Sequence, residues 1–182
     1  MFIFECLEPS NIEQCTNEDA ADLGLLFAQL SFSSAVATQG SEIMKRLRTM
    51  AEPLPDTRTN TIVFFVRDPL VRPPKGRIIA TATLVPMDLI LGRAGMLHDV
   101  IVDLEYRGRG LGRQLMQKVI ERARSLQITR LDLTSNPNRE AARKLYEQLG
   151  FRKCVTDVFR LELNVKVPAK HQPAEKGKER TG

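Results

Sequence analysis

The chain has 182 residues, 42% of them hydrophobic and 27% charged, which is the length and balance of one globular domain with a single core. Its longest unbroken apolar stretches, such as residues 62–66, fall far short of the roughly 18 residues needed to cross a bilayer, so no membrane segment is expected. The formal charge is +5, but five Lys or Arg and two Glu lie from Lys166 onward, so a basic tail rather than a basic face carries most of it and a nucleic-acid partner is not expected.

The opening MFIFECLEPS has no basic segment, and Glu5 breaks its short apolar run. It reads poorly as a secretory signal, and a cytoplasmic protein is expected. Residues 12–15 read as a first strand. Thr16 then offers an N-cap, followed by acidic first-turn residues and an apolar helical stripe. A second helix follows from the spacing of Ile43, Leu47 and Met50 and is stopped by Pro53 and Pro55. NTIVFFVRD and GRIIATATLVPM are rich in β-branched residues and flank the proline-bearing turn PLVRPPK, the pattern of antiparallel neighbours.

MLHDVIVD supplies the next strand, and Leu111, Leu115, Met116, Val119, Ile120, Ala123 and Leu126 trace one face of a long helix. RLDLTS is a short strand. PNREAARKLYEQLG is a short helix with proline at its start and glycine at its end. VTDVFRLEL reads as a closing strand, and VPAKHQPAEKGKERTG shows no aliphatic periodicity after Val167. Residues 1–165 are therefore expected to form one α/β (α+β) domain, a single mixed and mostly antiparallel sheet flanked by helices. Residues 166–182 form a basic tail expected to be disordered. Cys6, Cys15 and Cys154 are odd in number and widely spaced, which argues against a disulfide framework and a metal site and for reduced, buried thiols.

Between the strand MLHDVIVD and the long helix stands EYRGRGLG, residues 105–112. A flexible linker does not fit a connection between a strand and a strongly amphipathic helix. A dinucleotide fold does not fit either: the glycines alternate instead of following G-x-G-x-x-G, and too few strands remain to complete a doubly wound sheet. Gly108, Gly110 and Gly112 let the backbone approach a ligand closely, the first-turn N–H groups point outward, and Arg107, Arg109 and Arg113 add positive charge. That combination suits a pyrophosphate.

Together, VIVDLEYRGRGLG and LTSNPNREAARKLYEQLGF resemble the two hallmark segments of the GNAT superfamily of acetyl-CoA-dependent N-acyltransferases. Arg107, Gly110 and Gly112 meet its R-x-x-G-x-G pattern, and Ala142, Leu145, Tyr146, Gly150 and Phe151 meet its A-x-x-L-Y-x-x-x-G-F pattern. The resemblance covers nearly the whole expected domain. It implies an enzyme that moves an acetyl group from acetyl-CoA to a primary amine of a small molecule or a protein by direct attack in a ternary complex, without a metal. It also implies that the pantetheine arm lies along Val100, Ile101 and Val102, with the pyrophosphate on the backbone of Arg107, Gly108, Arg109, Gly110, Leu111, Gly112 and Arg113. A backbone N–H near Val100 would stabilise the oxyanion.

By the same resemblance Tyr146 is the proton donor to the departing thiolate. His98 and Asp99 occupy the place where several relatives carry Glu-Asp, and either could serve as base, directly or through water. Neighbouring strand residues point to opposite faces, so only one of the pair is expected to face the cleft. Where the family often has Asn, this chain has Arg139, and Asn138 is the nearer candidate for the cofactor contact. The acceptor cleft would be built from residues 23–50 and 88–95, with Phe32, Met44, Arg48 and Arg93 as candidate lining. The resemblance leaves open a homodimer, and a domain that binds CoA without turning it over is the alternative to an enzyme.

Overall fold

The computed structural model describes residues 1–8, 11, 14–30, 40–51, 61–161 and 163, the side chains of 40 and 49–51 excepted. The chain divides into a unit of residues 1–152 and a second of 153–182.

The first unit is built on a five-stranded sheet in the order β1-β2-β3-β4-β5. Strands β1 (Ile3–Leu7), β2 (Ile62–Asp68), β3 (Arg77–Leu89) and β4 (Gly92–Val102) are successively antiparallel, and β5 (Arg130–Leu133) runs parallel to β4. The sheet is thus mixed and mostly antiparallel, as expected. The first strand is Ile3–Leu7 and not residues 12–15: Gln14 lies in a 3-10 turn, and residues 12 and 13 lie outside the described residues. Glu5, which breaks the apolar run, is accommodated because Arg67 of β2 reaches its carboxylate at 2.6 Å. A polar residue with a cross-strand partner does not end a strand.

Helix α1 (Asn17–Ala28) starts where Thr16 predicts, with Thr16 Oγ1 accepting from the Asp19 amide at 3.2 Å and the Asp19 carboxylate accepting from the Thr16 amide at 2.9 Å. It places Ala20, Leu23 and Leu26 against Ile43, Met44 and Leu47 of α2 (Gly40–Ala51), and together they cover one face of the sheet over Val63, Phe65, Ile78 and Ile101. On the opposite face, α3 (Leu111–Ser125) and α4 (Glu140–Gln148) pack over Phe64, Val66, Ala80, Ala82, Leu84 and Leu97. Every residue of β2 is buried because helices cover both its faces, so its sequence reads as a run and does not alternate.

Two acids of α1 are buried as well. Asp19 accepts from Arg67 at 2.6 Å and from Lys75 at 2.9 Å, while Asp22 accepts from the Ile78 amide at 2.9 Å and from Arg72. These contacts stitch α1 to the beginning of β3. Of the three cysteines, Cys15 alone is buried, and burial, followed by the nearby Asp19 charge, pushes its thiol up to about 11. Cys6 and Cys154 are exposed, contrary to expectation.

The expected closing strand over residues 155–163 is not formed: its described residues adopt no regular structure, and Val155, Val158, Phe159, Leu161 and Leu163 are exposed. High β-propensity makes a strand only where a neighbour takes up the backbone hydrogen bonds. Residues 166–182, the expected tail, lie outside the described residues.

Candidate active site

The site is shaped by an irregularity in β4. Its pairing with β3 shifts register between Thr81 and Thr83, and Asp99 takes φ +53°, a left-handed backbone uncommon for a residue with a side chain. The shift reverses side-chain parity. Leu97, Val100 and Val102 all pack into the core under α3 and α4, although 97 and 100 are an odd number of residues apart, while Ile101 packs under α1 and α2. The expectation that His98 and Asp99 face opposite ways is therefore overturned. His98 stands in register with Thr83, so the two share a face, and the Thr83 hydroxyl donates to Asp99 Oδ2 at 3.2 Å. Because Ala82 and Leu84 point toward α3, that shared face is the α1–α2 side, and both His98 and Asp99 are exposed on it.

The second feature is a parting of strands. β5 pairs with β4 only from Ala94–Arg130 to Leu97–Leu133, whereas β4 runs on to Val102, hydrogen-bonded on one side to β3. Along residues 98–102 the other edge of β4 carries no strand partner among the described residues. A free strand edge offers alternating N–H and C=O groups to an extended ligand.

Beyond Val102 the chain is tied down before it reaches the glycines. Asp103 is buried, accepts from Arg77 at 2.9 Å, and caps the turn Leu104–Tyr106 by accepting from the Glu105 amide at 3.0 Å. Tyr106 is buried too, with its hydroxyl donating to Asp68 at 3.0 Å and its ring edge-on to Phe2. Next come Gly108 and Gly110 at φ +76° and +75°, with Gly110 as N-cap of α3. A methyl group on Gly108 would meet nothing within 4 Å, and on Gly110 only the Gln114 side-chain amide at 3.8 Å. The space beside this backbone is open, which is what a ligand pressed against it requires. Gly112 serves packing, since a Cβ there would meet Leu145 at 3.3 Å and Val102 at 3.5 Å, and this is where β4, α3 and α4 converge.

The amides opening α3 have no acceptors within the helix and leave a partial positive charge there. Two of the three arginines brace the loop: Arg107 Nε donates to the Val102 carbonyl at 3.0 Å, and Arg109 donates to the Glu105 carbonyl at 3.1 Å with its guanidinium 4.9 Å from the centre of the Tyr106 ring. Arg113 is exposed on the first turn of α3.

Tyr146 lies on the buried face of α4, its ring edge-on to Phe151 at 5.9 Å. Burial pushes its phenol pKa up, and the Arg139 charge pulls the other way. Arg139 begins α4 and donates to the Leu30 carbonyl at 3.0 Å, joining the helix to the end of α1. Asn138 is exposed in an Asx turn, its amide donating to Asn136 Oδ1 at 2.9 Å. Of the candidate acceptor-side residues, Met44 is buried, Arg48 is exposed, and Arg93 is engaged with the Leu126 carbonyl and Asp88, while Phe32 lies outside the described residues. Thr83, Asp68, Asp103 and Tyr106 were missed from the sequence, since nothing in residue type or spacing marks them as partners of the site.

A model of the acetyltransferase (GNAT) family matches residues 41–151, from α2 through the glycine loop to the end of α4. The chain belongs to the GNAT family. Glucosamine 6-phosphate N-acetyltransferase of Trypanosoma brucei brucei is 42% identical over 82 residues, 43% of this chain and 54% of that relative. The chain thus spans about half the length of the curated relatives it matches. Among solved GNAT-like structures, glucosamine-6-phosphate N-acetyltransferase from Arabidopsis thaliana superposes with a TM-score of 0.64 at 20% identity, over 88% of this chain and 98% of that one. A predicted acetyltransferase from Clostridium acetobutylicum, solved with acetyl-CoA, superposes with a TM-score of 0.62 at 18% identity, over 90% of this chain and 96% of that one. These likenesses show the GNAT fold.

Proposed function

We propose that this protein is an N-acetyltransferase that transfers the acetyl group of acetyl-CoA to a primary amine within a ternary complex. The observation that carries the reading is the parting of β4 from β5 beyond Leu97, with the glycine-opened start of α3 at its mouth. In this reading the pantetheine arm pairs with the free edge of β4 at Val100, Ile101 and Val102. The pyrophosphate sits on the amides from Arg107 to Arg113, with Asn138 at its margin. Held there, the thioester carbonyl lies beside the bulge, where a β4 amide near Val100 stabilises the developing oxyanion.

The acceptor enters from the α1–α2 side, where His98 and Asp99 stand together, and one of them takes the proton that the amine must lose. The amine nitrogen attacks the carbonyl carbon, the C–S bond breaks, and the CoA thiolate takes the phenolic proton of Tyr146, which is replenished from solvent. Holding both substrates in place supplies several kcal/mol toward the barrier. The curated relatives are named for glucosamine 6-phosphate, so a small amino-sugar phosphate is the first acceptor to try, ahead of protein amines. A cytoplasmic location goes with this reading.

The test is release of free CoA thiol from acetyl-CoA over a panel of amines headed by glucosamine 6-phosphate, with cofactor binding followed by thermal shift. Acceptor-dependent turnover is expected. Stabilisation by acetyl-CoA with no turnover on any amine or peptide would make the protein a CoA-binding sensor, and no binding at millimolar acetyl-CoA would remove the CoA assignment altogether.

A further inference from the structure

Two threonines on β3, Thr81 and Thr83, project toward the α1–α2 side and are both buried, at 0% and 6% exposure. They differ in one respect. The Thr81 hydroxyl has no hydrogen-bond partner among the described residues, whereas the Thr83 hydroxyl donates to Asp99 Oδ2 at 3.2 Å. Thr83 also sits at the point where the β3–β4 register shifts, opposite His98. Asp99 itself is exposed and held in a left-handed backbone conformation. An exposed carboxylate on a bulge has several staggered orientations open to it, and a rigid, buried hydroxyl selects one.

We infer that Thr83 is a positioning residue for the acceptor side of the site: its hydroxyl fixes the Asp99 carboxylate toward α1 and α2, where the amine arrives. The inference rests on the acetyltransferase reading and on Asp99 acting in it. Thr83 touches neither substrate and acts only through Asp99, so its loss slows turnover without weakening the hold on acetyl-CoA, which lies along the other edge of β4.

The two threonines provide their own control. Val has the shape of Thr without the hydroxyl, so Thr81→Val and Thr83→Val make the same chemical change two residues apart on one face. With acetyl-CoA and the fastest amine of the panel, Thr83→Val is expected to lower kcat by about tenfold, the loss of one hydrogen bond to a charged group. Its acetyl-CoA Kd stays within about twofold of wild type, because the donor site is untouched. Thr83→Ser restores most of the loss, and Thr81→Val turns over like wild type. Asp99→Asn is impaired, and the double variant Thr83→Val/Asp99→Asn is no slower than Asp99→Asn alone, because the hydroxyl then has no carboxylate to hold.

Wild-type turnover in Thr83→Val beside an impaired Asp99→Asn overturns the inference alone. So do losses that multiply in the double variant, or an equal loss in Thr81→Val, either of which makes the effect one of packing. Full activity in Asp99→Asn removes the carboxylate from the reaction and the inference with it. Thermal midpoints and acetyl-CoA affinity are measured for every variant, and Thr83→Ser keeps the comparison available should Thr83→Val fold poorly.

Discussion

The hydroxyl of Tyr106, on the turn entering the glycine loop, donates to the carboxylate of Asp68, at the end of β2, across 3.0 Å. Both side chains are buried, and the Tyr106 ring in turn supports the Arg109 guanidinium. The loop that the GNAT pattern marks by its glycines is thus anchored by a residue that the pattern does not include. Tyr106→Phe keeps the ring and leaves a buried carboxylate short of one donor, a loss of about 1 to 3 kcal/mol. The expected outcome is a lower melting temperature and acetyl-CoA binding weakened several-fold, measured by calorimetry. Unchanged affinity would show that the loop holds its shape without this tether.

Gly110 is expected to admit no replacement with a branched side chain. Its φ of +75° lies where an L-residue costs roughly 1–2 kcal/mol and a β-branched one more, and a side chain there would occupy the open space beside the first amides of α3. Gly110→Val should abolish acetyl-CoA binding while lowering the melting temperature only modestly. Normal binding by this variant would mean that the diphosphate lies elsewhere.

Tyr146 separates packing from chemistry, because its ring is buried against Phe151 while the proposed role belongs to its hydroxyl alone. Tyr146→Phe retains the ring and is expected to lower kcat at least about tenfold, as loss of a general acid does. Acetyl-CoA affinity and melting temperature should stay near wild type. A fully active variant would falsify the acid role and leave Tyr146 as a core residue.

Acid stability should depend on Asp19. Burial favours its protonated form, but hydrogen bonds from Arg67, Lys75 and the Thr16 amide outweigh burial and hold its carboxyl well below the ordinary value of 3.8. The folded state therefore binds this proton less readily than the unfolded chain does. The resulting stabilisation is complete above roughly pH 5 and is lost as the pH falls below about 4. Asp19→Asn leaves the nearly inaccessible Arg67 with Glu5 as its one carboxylate among the described residues and is expected to cost about 3 kcal/mol, or roughly 10 °C in Tm, near neutrality. Its deficit should shrink between about pH 4 and 2, where the unfolded wild-type chain takes up a proton that folded Asp19 does not. Parallel Tm curves for the two proteins across that range would refute this account.

Local chemistry was legible in the sequence. Thr16 announced α1 because a capping box is written in neighbouring residues, and the alternating glycines announced the start of α3 because a tight backbone approach needs them. The features that depend on a distant partner were not legible. Glu5 reads as a break in a short apolar run until Arg67, 62 residues later in the chain, is placed beside it at 2.6 Å. VTDVFRLEL carries the composition of a strand, but composition says nothing about whether a neighbouring edge is there to pair with it. The candidate site divides in the same way. Tyr146 and the glycine loop stand in short motifs, whereas the common facing of His98 and Asp99 arises from a bulge that no residue type announces, since Asp tolerates the left-handed backbone without requiring it.

The odd residue accommodated at Asp99 sets the phase of everything that follows it in β4. Deleting Asp99 would leave Thr83–His98 and Thr81–Ile101 with one residue between them on each strand, a regular ladder in which Val100 and Val102 keep their places under α3. The surplus residue thus adds nothing to the core: what it supplies is the carboxylate held beside His98 by Thr83.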